Sequence, residues 1–187
     1  RNATKNDRSV FVAQTTVYAT TTNGDLMPVQ FLTSDQRARF GRYVGQPNSE
    51  QLARFFYLDD ADLAIIKAKR GDHNRLGFAL QLTTARFLGT FLEDPLDVPD
   101  AVLKTLGHQL QISNLDQTPI YRDAKQRWEH TAEIRFRYGF RDWTEPVIGF
   151  RLTRWLYALC WTGTLQPIAM FDRATTWLLA HKVILPG

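Results

Sequence analysis

The fold is decided by residues 69–91, which read KRGDHNRLGFALQLTTARFLGTF. Six of the first seven residues are charged or strongly polar, and the exception is Gly71. From Leu76 onward the segment is apolar on nearly every side, a pattern typical of a helix buried in a core. The stretch therefore predicts a helix whose stem is anchored inside the protein and whose N-terminal tip carries cations and hydrogen-bond donors.

Helix signals dominate the chain on both sides of this segment. Thr33, with Gln36 three residues later, is a capping pair for a helix over residues 33–45. The same kinds of signal, capping side chains and helix-opening prolines, predict further helices over 49–58, 59–70, 99–110, 122–138, 146–161 and from 167 onward. The sequence therefore predicts an all-α fold.

The chain is expected to divide at an acidic, proline-containing stretch. Residues 93–100, EDPLDVPD, hold two prolines and four acids, which is typical of a linker. We expect two tandem helical units of about four helices each, arranged like helix-turn-helix modules. The expected parts are a leader or added extension at 1–26, a first helical unit at 27–93, a linker at 94–98 and a second helical unit at 99–187.

The first 26 residues differ in character from the rest. They contain six threonines, an Asn-Gly-Asp turn signal and little periodic apolar pattern. We expect this segment to be weakly ordered or to form a short strand pair.

Composition excludes several classes of protein and site. The formal net charge is +4, and residues 98–187 carry eleven Lys or Arg against eight Asp or Glu. The single cysteine, Cys160, excludes a disulfide within the chain and a cysteine metal cluster. No apolar run approaches the roughly 20 residues of a membrane span. We expect a protein of a reducing cytosol, without a membrane partner.

A catalytic site is the weaker of two chemical interpretations. Asp72 with His73, and Glu129 with His130, could form a metal or acid–base cluster only if both pairs met in one cleft. Neighbouring residues on a helix point to different sides, and no HExxH, phosphate-loop or nucleophile-elbow motif is present. We expect no catalytic residue, no metal ligand and no cofactor in this chain.

DNA binding explains the polar tip better. A helix N-terminus offers free backbone N–H groups and the positive end of the helix dipole, both of which favour phosphate. In this interpretation Asn74 pairs with adenine and Arg75 with guanine or phosphate. The expected DNA-binding residues of the first unit are Lys69, Arg70, His73, Asn74 and Arg75.

The second half carries a parallel pattern. The fragment at 127–131 repeats that at 70–74, with an arginine, an acid two residues later and then a histidine. Arg127, His130, Arg137 and Arg141 share one arc if their helix continues past Gly139. Two arginines on the next predicted helix complete the expected DNA-binding set, Arg151 and Arg154. The five tryptophans lie among apolar neighbours and are expected in the core.

Five segments resemble a known family. They are PVQFLTSDQRARFGRYVGQP (28–47), RGDHNRLGFALQL (70–82), RFLGTF (86–91), WEHTAEIRFRYGFRDW (128–143) and TWLLAHKVILPG (176–187). Together they resemble the N-terminal region of Tn-three-family (class II replicative) transposases over residues 27–187. The part before Met27 does not share the resemblance.

The resemblance implies a function. In that family the N-terminal region consists of helical modules that bind the terminal inverted repeats of the transposon. An RNase-H-like domain with an Asp-Asp-Glu triad and two divalent metals lies further along the chain. We therefore expect sequence-specific binding to double-stranded DNA in the bacterial cytoplasm, in association with the nucleoid, without catalysis by this chain. The alternative is a protein-interaction module that assembles transposase subunits, by self-association, without reading bases.

Overall fold

The computed structural model describes residues 17–20, 26–29, 40–115, 118–161, 163 and 166–185. Most of these residues are helical, which confirms the predicted all-α class. The helices are α1 (Ser49–Phe55), α2 (Asp60–Lys67), α3 (Asp72–Leu88), α4 (Asp100–Leu110), α5 (Ile120–Asp123), α6 (Gln126–Tyr138), α7 (Pro146–Trp161) and α8 (Pro167–Ala180). The short strands are β1 (Val17–Thr20), β2 (Leu26–Val29), β3 (Arg141–Asp142) and β4 (Val183–Ile184).

Strands β1 and β2 form an antiparallel pair, with Val17 opposite Val29 and Thr20 opposite Leu26. A strand pair was one of the two forms expected near the start of the chain. The helix predicted over 33–45 lies mostly outside the described residues.

The chain divides differently from the predicted tandem arrangement. One compact unit, here the central unit, is Arg42–Arg141, and the other, the terminal unit, comprises Arg1–Gly41 and Asp142–Gly187. The predicted linker at 94–98 lies inside the central unit, where Pro95 is buried and Asp94 bridges Arg122 at 2.8 Å. Helices α3 and α4, on either side of it, pack together. The acidic, proline-containing stretch therefore turns the chain within one core instead of separating two cores.

The centre of the central unit is α3. Every residue from Leu76 to Ala85 is buried, and α1, α2, α4, α5 and α6 all pack against it. Gly89 ends the helix in the left-handed conformation, at φ 74°. The predicted buried stem is therefore present.

The helix predicted over 122–138 is two helices. Ala124 adopts an extended conformation between α5 and α6, so the chain changes direction there. Helix α6 ends at Tyr138 because Gly139 takes a left-handed φ of 67°. Arg141 consequently lies outside α6, in β3, and does not share its arc.

The terminal unit has its own small core. Ile148 of α7 packs with Leu178, Val183 and Leu185, and the Trp155 and Trp177 rings lie 6.1 Å apart. The expectation that all five tryptophans are buried was wrong, since three are exposed: Trp128, Trp143 and Trp161.

Candidate nucleic-acid interface

The N-terminal tip of α3 is built by its own side chains. Gly71 precedes the helix at φ 85° and provides no side-chain cap. The Asn74 side-chain amide donates to the Arg70 carbonyl at 2.8 Å, and Arg75 Nε donates to the Lys69 carbonyl at 3.1 Å. These bonds close the turn between α2 and α3, so Asn74 and Arg75 already support the tip that they were predicted to offer to DNA.

Glu133 of α6 holds the tip against the middle of that helix. Its two carboxylate oxygens bind Lys69 Nζ and, at 2.8 Å, Arg137 Nε. Burial alone raises the pKa of Glu133, but hydrogen bonds and charge from Lys69 and Arg137 outweigh it and hold the pKa below its usual value. The structure thus joins predicted residues from both halves of the sequence, Lys69 and Arg137, through an acid that was not predicted.

Solvent exposure differs among the tip residues. The Arg70 side chain is exposed and has no hydrogen bond or ion pair to any residue the structure describes. The Arg75 side chain is 40% exposed, and its Nη1 lies 3.2 Å from the Asp72 carboxylate. Lys69 is only 15% exposed and lies over the Phe78 ring at 4.7 Å. His73 is half-buried beside Gly71. Arg70 and Arg75 are therefore the cations most available to a ligand.

His130 is a core residue and not part of a surface. It is 5% exposed, its Nδ1 lies 2.8 Å from the Tyr121 hydroxyl, and its ring meets the edge of Phe78. Burial and the nearby charge of Lys69 lower the pKa of His130 to about 4. We correct the prediction accordingly: a buried, neutral imidazole has no access to DNA phosphate. The similarity of the fragments at 70–74 and 127–131 does not extend to their environments.

Mild acid is expected to destabilise the protein through His130. An unfolded histidine titrates near 6.5, so between about pH 6.5 and pH 4 the unfolded chain binds a proton that the folded chain does not. The contribution of neutral His130 to the free energy of unfolding is therefore fully present above about pH 6.5. It is lost as the pH falls, by about 2 kcal/mol between pH 7 and pH 5. Urea unfolding followed by circular dichroism at both values measures this.

Two variants test whether His130 causes this loss of stability in mild acid. His130→Gln should be less stable at pH 7 but should show a much shallower loss between the two pH values. His108→Gln removes an exposed imidazole from α4 and should keep the loss of the parent protein. An unchanged slope in His130→Gln would contradict the assignment.

The remaining predicted arginines belong to other helices. Arg127 is over the Trp128 ring at 4.5 Å and donates to the Arg122 carbonyl at 2.9 Å. Arg151 and Arg154 are exposed on α7, in the terminal unit.

Sequence reasoning missed the outer face of α6. Trp128 and Phe136 are 66% and 88% exposed there. They lie eight residues apart, on one side of the helix, whereas buried His130 and Ile134 lie on the other. Comparing the positions of these two pairs around the helix would have predicted that both aromatic rings are exposed to solvent.

The structure does not bring the four residues of the alternative catalytic cluster together as a metal site. Within the described ranges, which include Asp72, His73, Glu129 and His130, no group of three or more His, Cys, Asp or Glu side chains could hold a metal ion. No described helix is long and apolar enough to cross a membrane.

Known proteins match most of the chain. The transposase for transposon gamma-delta of Escherichia coli (strain K12) is 51% identical over 163 residues, which is 86% of this chain and 16% of the relative. The transposase for transposon Tn1546 of Enterococcus faecium is 30% identical over 162 residues, 84% of this chain and 16% of the relative. That for transposon Tn501 of Pseudomonas aeruginosa is 34% identical over 96 residues, 51% of this chain and 10% of the relative.

The chain therefore spans about a sixth of the length of the first two relatives. Residues 31–187 also match the family described as Domain of unknown function (DUF4158). Because that match covers most of the sequence, the chain belongs to the DUF4158 family, and its predicted place in the N-terminal region of Tn-three-family transposases is confirmed.

Proposed function

We propose that this chain binds duplex DNA in a sequence-specific manner, at the terminal inverted repeats of a transposon, as part of a transposase. Its relatives are transposases, and a transposase has to locate the ends of its element. In this proposal the catalytic step belongs to parts of the transposase that this chain does not include. The α3 tip, defined as Lys69, Arg70, His73, Asn74 and Arg75, is the proposed contact.

The observation that carries the proposal is the combination of a buried stem with a basic, uncapped tip. Helix α3 is fixed by burial over Leu76–Ala85, so its first turn is held rigidly. Helix-turn-helix proteins place the N-terminal residues of a rigid helix at the edges of bases. The absence of a side-chain cap leaves backbone N–H groups of the first turn to donate to a phosphate.

The contact with Glu133 supports the same function. A carboxylate near the tip would repel phosphate, but Lys69 and Arg137 both bind it. The exposed Asp72 carboxylate is likewise paired, with Arg75, so the cation at the tip without an acid partner among the described residues is Arg70. Arginine suits this position because its planar fork can bind two acceptors on guanine or one phosphate.

Arg70→Ala is the clearest test, since this side chain supports no other described residue. If Arg70 reads a base, affinity for the inverted repeat flanking the parent gene should fall by roughly 5–150-fold, about 1–3 kcal/mol. Affinity for a scrambled duplex should fall much less. Fluorescence anisotropy at two salt concentrations measures both, since phosphate contacts weaken with salt.

Lys104→Ala is the matched control, because it removes one exposed positive charge from α4. It should change binding to either duplex little. Equal losses on both duplexes for Arg70→Ala would reduce the tip to a phosphate contact. If the parent protein binds neither duplex, the DNA-binding proposal is wrong and the assembly alternative gains support.

A further inference from the structure

The outward face of α7 is unusually apolar for a surface. Four of its side chains are more than half exposed: Val147 (56%), Phe150 (69%), Tyr157 (64%) and Trp161 (76%). The opposite face packs inward through Ile148, which is buried, and Leu152. A helix that is apolar on both faces is typical of one covered on both faces. The outward face therefore has the composition of an interface.

The exposed residues follow a heptad spacing. Val147, Phe150, Arg154, Tyr157 and Trp161 are separated by three, four, three and four residues, and we call this row the α7 stripe. This is the a and d pattern by which two helices pack along a continuous seam. Between Pro146 and Trp161 the only charged residues are Arg151 and Arg154, so the helix contains no acid.

We propose that the α7 stripe binds the α7 stripe of a second copy of this chain, in antiparallel orientation. In this orientation each a position faces a d position of the partner helix. One register places Phe150 against Trp161 and Arg154 against Tyr157, and the two-fold symmetry repeats both pairs. Each arginine then lies on an aromatic ring, a favourable cation–π arrangement.

Charge selects this arrangement over the alternatives. A parallel pair would place Arg154 in one layer with its own copy, and the like charges would repel. Duplex DNA would satisfy the two arginines, but its phosphate surface gives no partner to four exposed apolar side chains. The antiparallel pair accommodates both features of the stripe.

The size of the stripe predicts a weak dimer. With about 150–250 Å² for each aromatic side chain, the three exposed rings offer roughly 400 Å² per copy. A standard stable interface buries about 800 Å² per partner. The dimer should therefore dissociate on dilution, and high salt should not weaken it, because the seam is apolar.

Analytical ultracentrifugation of the full chain tests the proposal over a range of roughly 5 to 500 µM. The parent protein should shift from monomer to dimer. Phe150→Ser combined with Trp161→Ser should remain monomeric at the highest concentration. Phe136→Ser is the matched control, because it removes an even more exposed ring from α6, and it should dimerise like the parent protein.

Cross-linking tests the register. In a Cys160→Ser background, Arg154→Cys combined with Tyr157→Cys should give a disulfide-linked dimer under mild oxidation. Either substitution alone should give much less, since each position faces the other one in the partner. A parent protein that is monomeric throughout, or a dimer that survives the double serine variant, would overturn the proposal. The proposal would also be overturned if the parent protein were monomeric and substitutions in the α7 stripe instead weakened its affinity for duplex DNA.

Discussion

Asp62→Ala is expected to destabilise the central unit by about 3 kcal/mol, the largest effect predicted for one side chain. Asp62 is 1% exposed at the start of α2 and accepts two hydrogen bonds from Arg86, at 2.7 and 2.8 Å. The Tyr138 hydroxyl donates a third, at 2.8 Å. One carboxylate therefore ties α2 to α3 and to the end of α6.

The expected cost follows from what remains after the carboxylate is removed. Burial alone raises the pKa of Asp62, but the bonds from Arg86 and Tyr138 outweigh it and hold the pKa below its usual value. The network therefore stabilises the charged form. Alanine would remove the acid that pairs with the Arg86 guanidinium, which is 26% exposed, and would remove the hydrogen bond between Tyr138 and Asp62. Because Arg86 can reach water, the cost should lie near the lower end of the roughly 3–5 kcal/mol for a broken buried pair.

Urea unfolding at pH 7, followed by far-ultraviolet circular dichroism, measures the loss. Asp60→Ala, also in the first turn of α2, removes an exposed acid and should cost less than about 1 kcal/mol, the usual value for a charge at a helix end. If the two variants were equally stable, the Asp62 network would contribute little to the fold.

Local signals predicted the helices but not the way they pack. Asp59 caps α2 as its position suggested, with a reciprocal bond from Asp62, and Pro146 and Pro167 open α7 and α8. These features depend on a few neighbouring residues, which a sequence displays directly. The packing of α3 against α4 depends on contacts across the 94–98 turn, which is why a proline-rich acidic stretch was misinterpreted as a linker.

The candidate site was predictable to a similar extent. The contrast between the polar residues 69–75 and the apolar run after them was sufficient to predict a buried stem with a basic tip. The partner that fixes the tip, Glu133, lies 64 residues from Lys69, and only the fold brings them together. For His130 the local pattern was misleading, because a histidine between polar residues faces the core here through its bond to Tyr121.

Gly77→Ala is expected to destabilise the central unit by about 2 kcal/mol, although the same change in most helices is stabilising. A Cβ at Gly77 would lie well under 3.0 Å from three ring atoms of Tyr121. Tyr121 is fully buried and bonded to His130, so its ring has little room to move. The clash should therefore exceed the gain of about 1 kcal/mol in helix propensity. Urea unfolding measures the sign directly.

The sign of the stability change in Gly77→Ala distinguishes a close contact at this position from the general effect of replacing glycine in a helix. Gly149 in α7 has no heavy atom within 4 Å of a built Cβ, so Gly149→Ala should stabilise its helix by about 0.5–1 kcal/mol. In a Tyr121→Ala background, which is itself strongly destabilised, Gly77→Ala should become neutral or favourable because the ring is absent. A loss that persists in that background would show that something other than the ring of Tyr121 requires glycine at position 77. The cycle thus tests whether the close contact with the Tyr121 ring is what requires glycine at position 77, and it does so without relying on the size of either single effect.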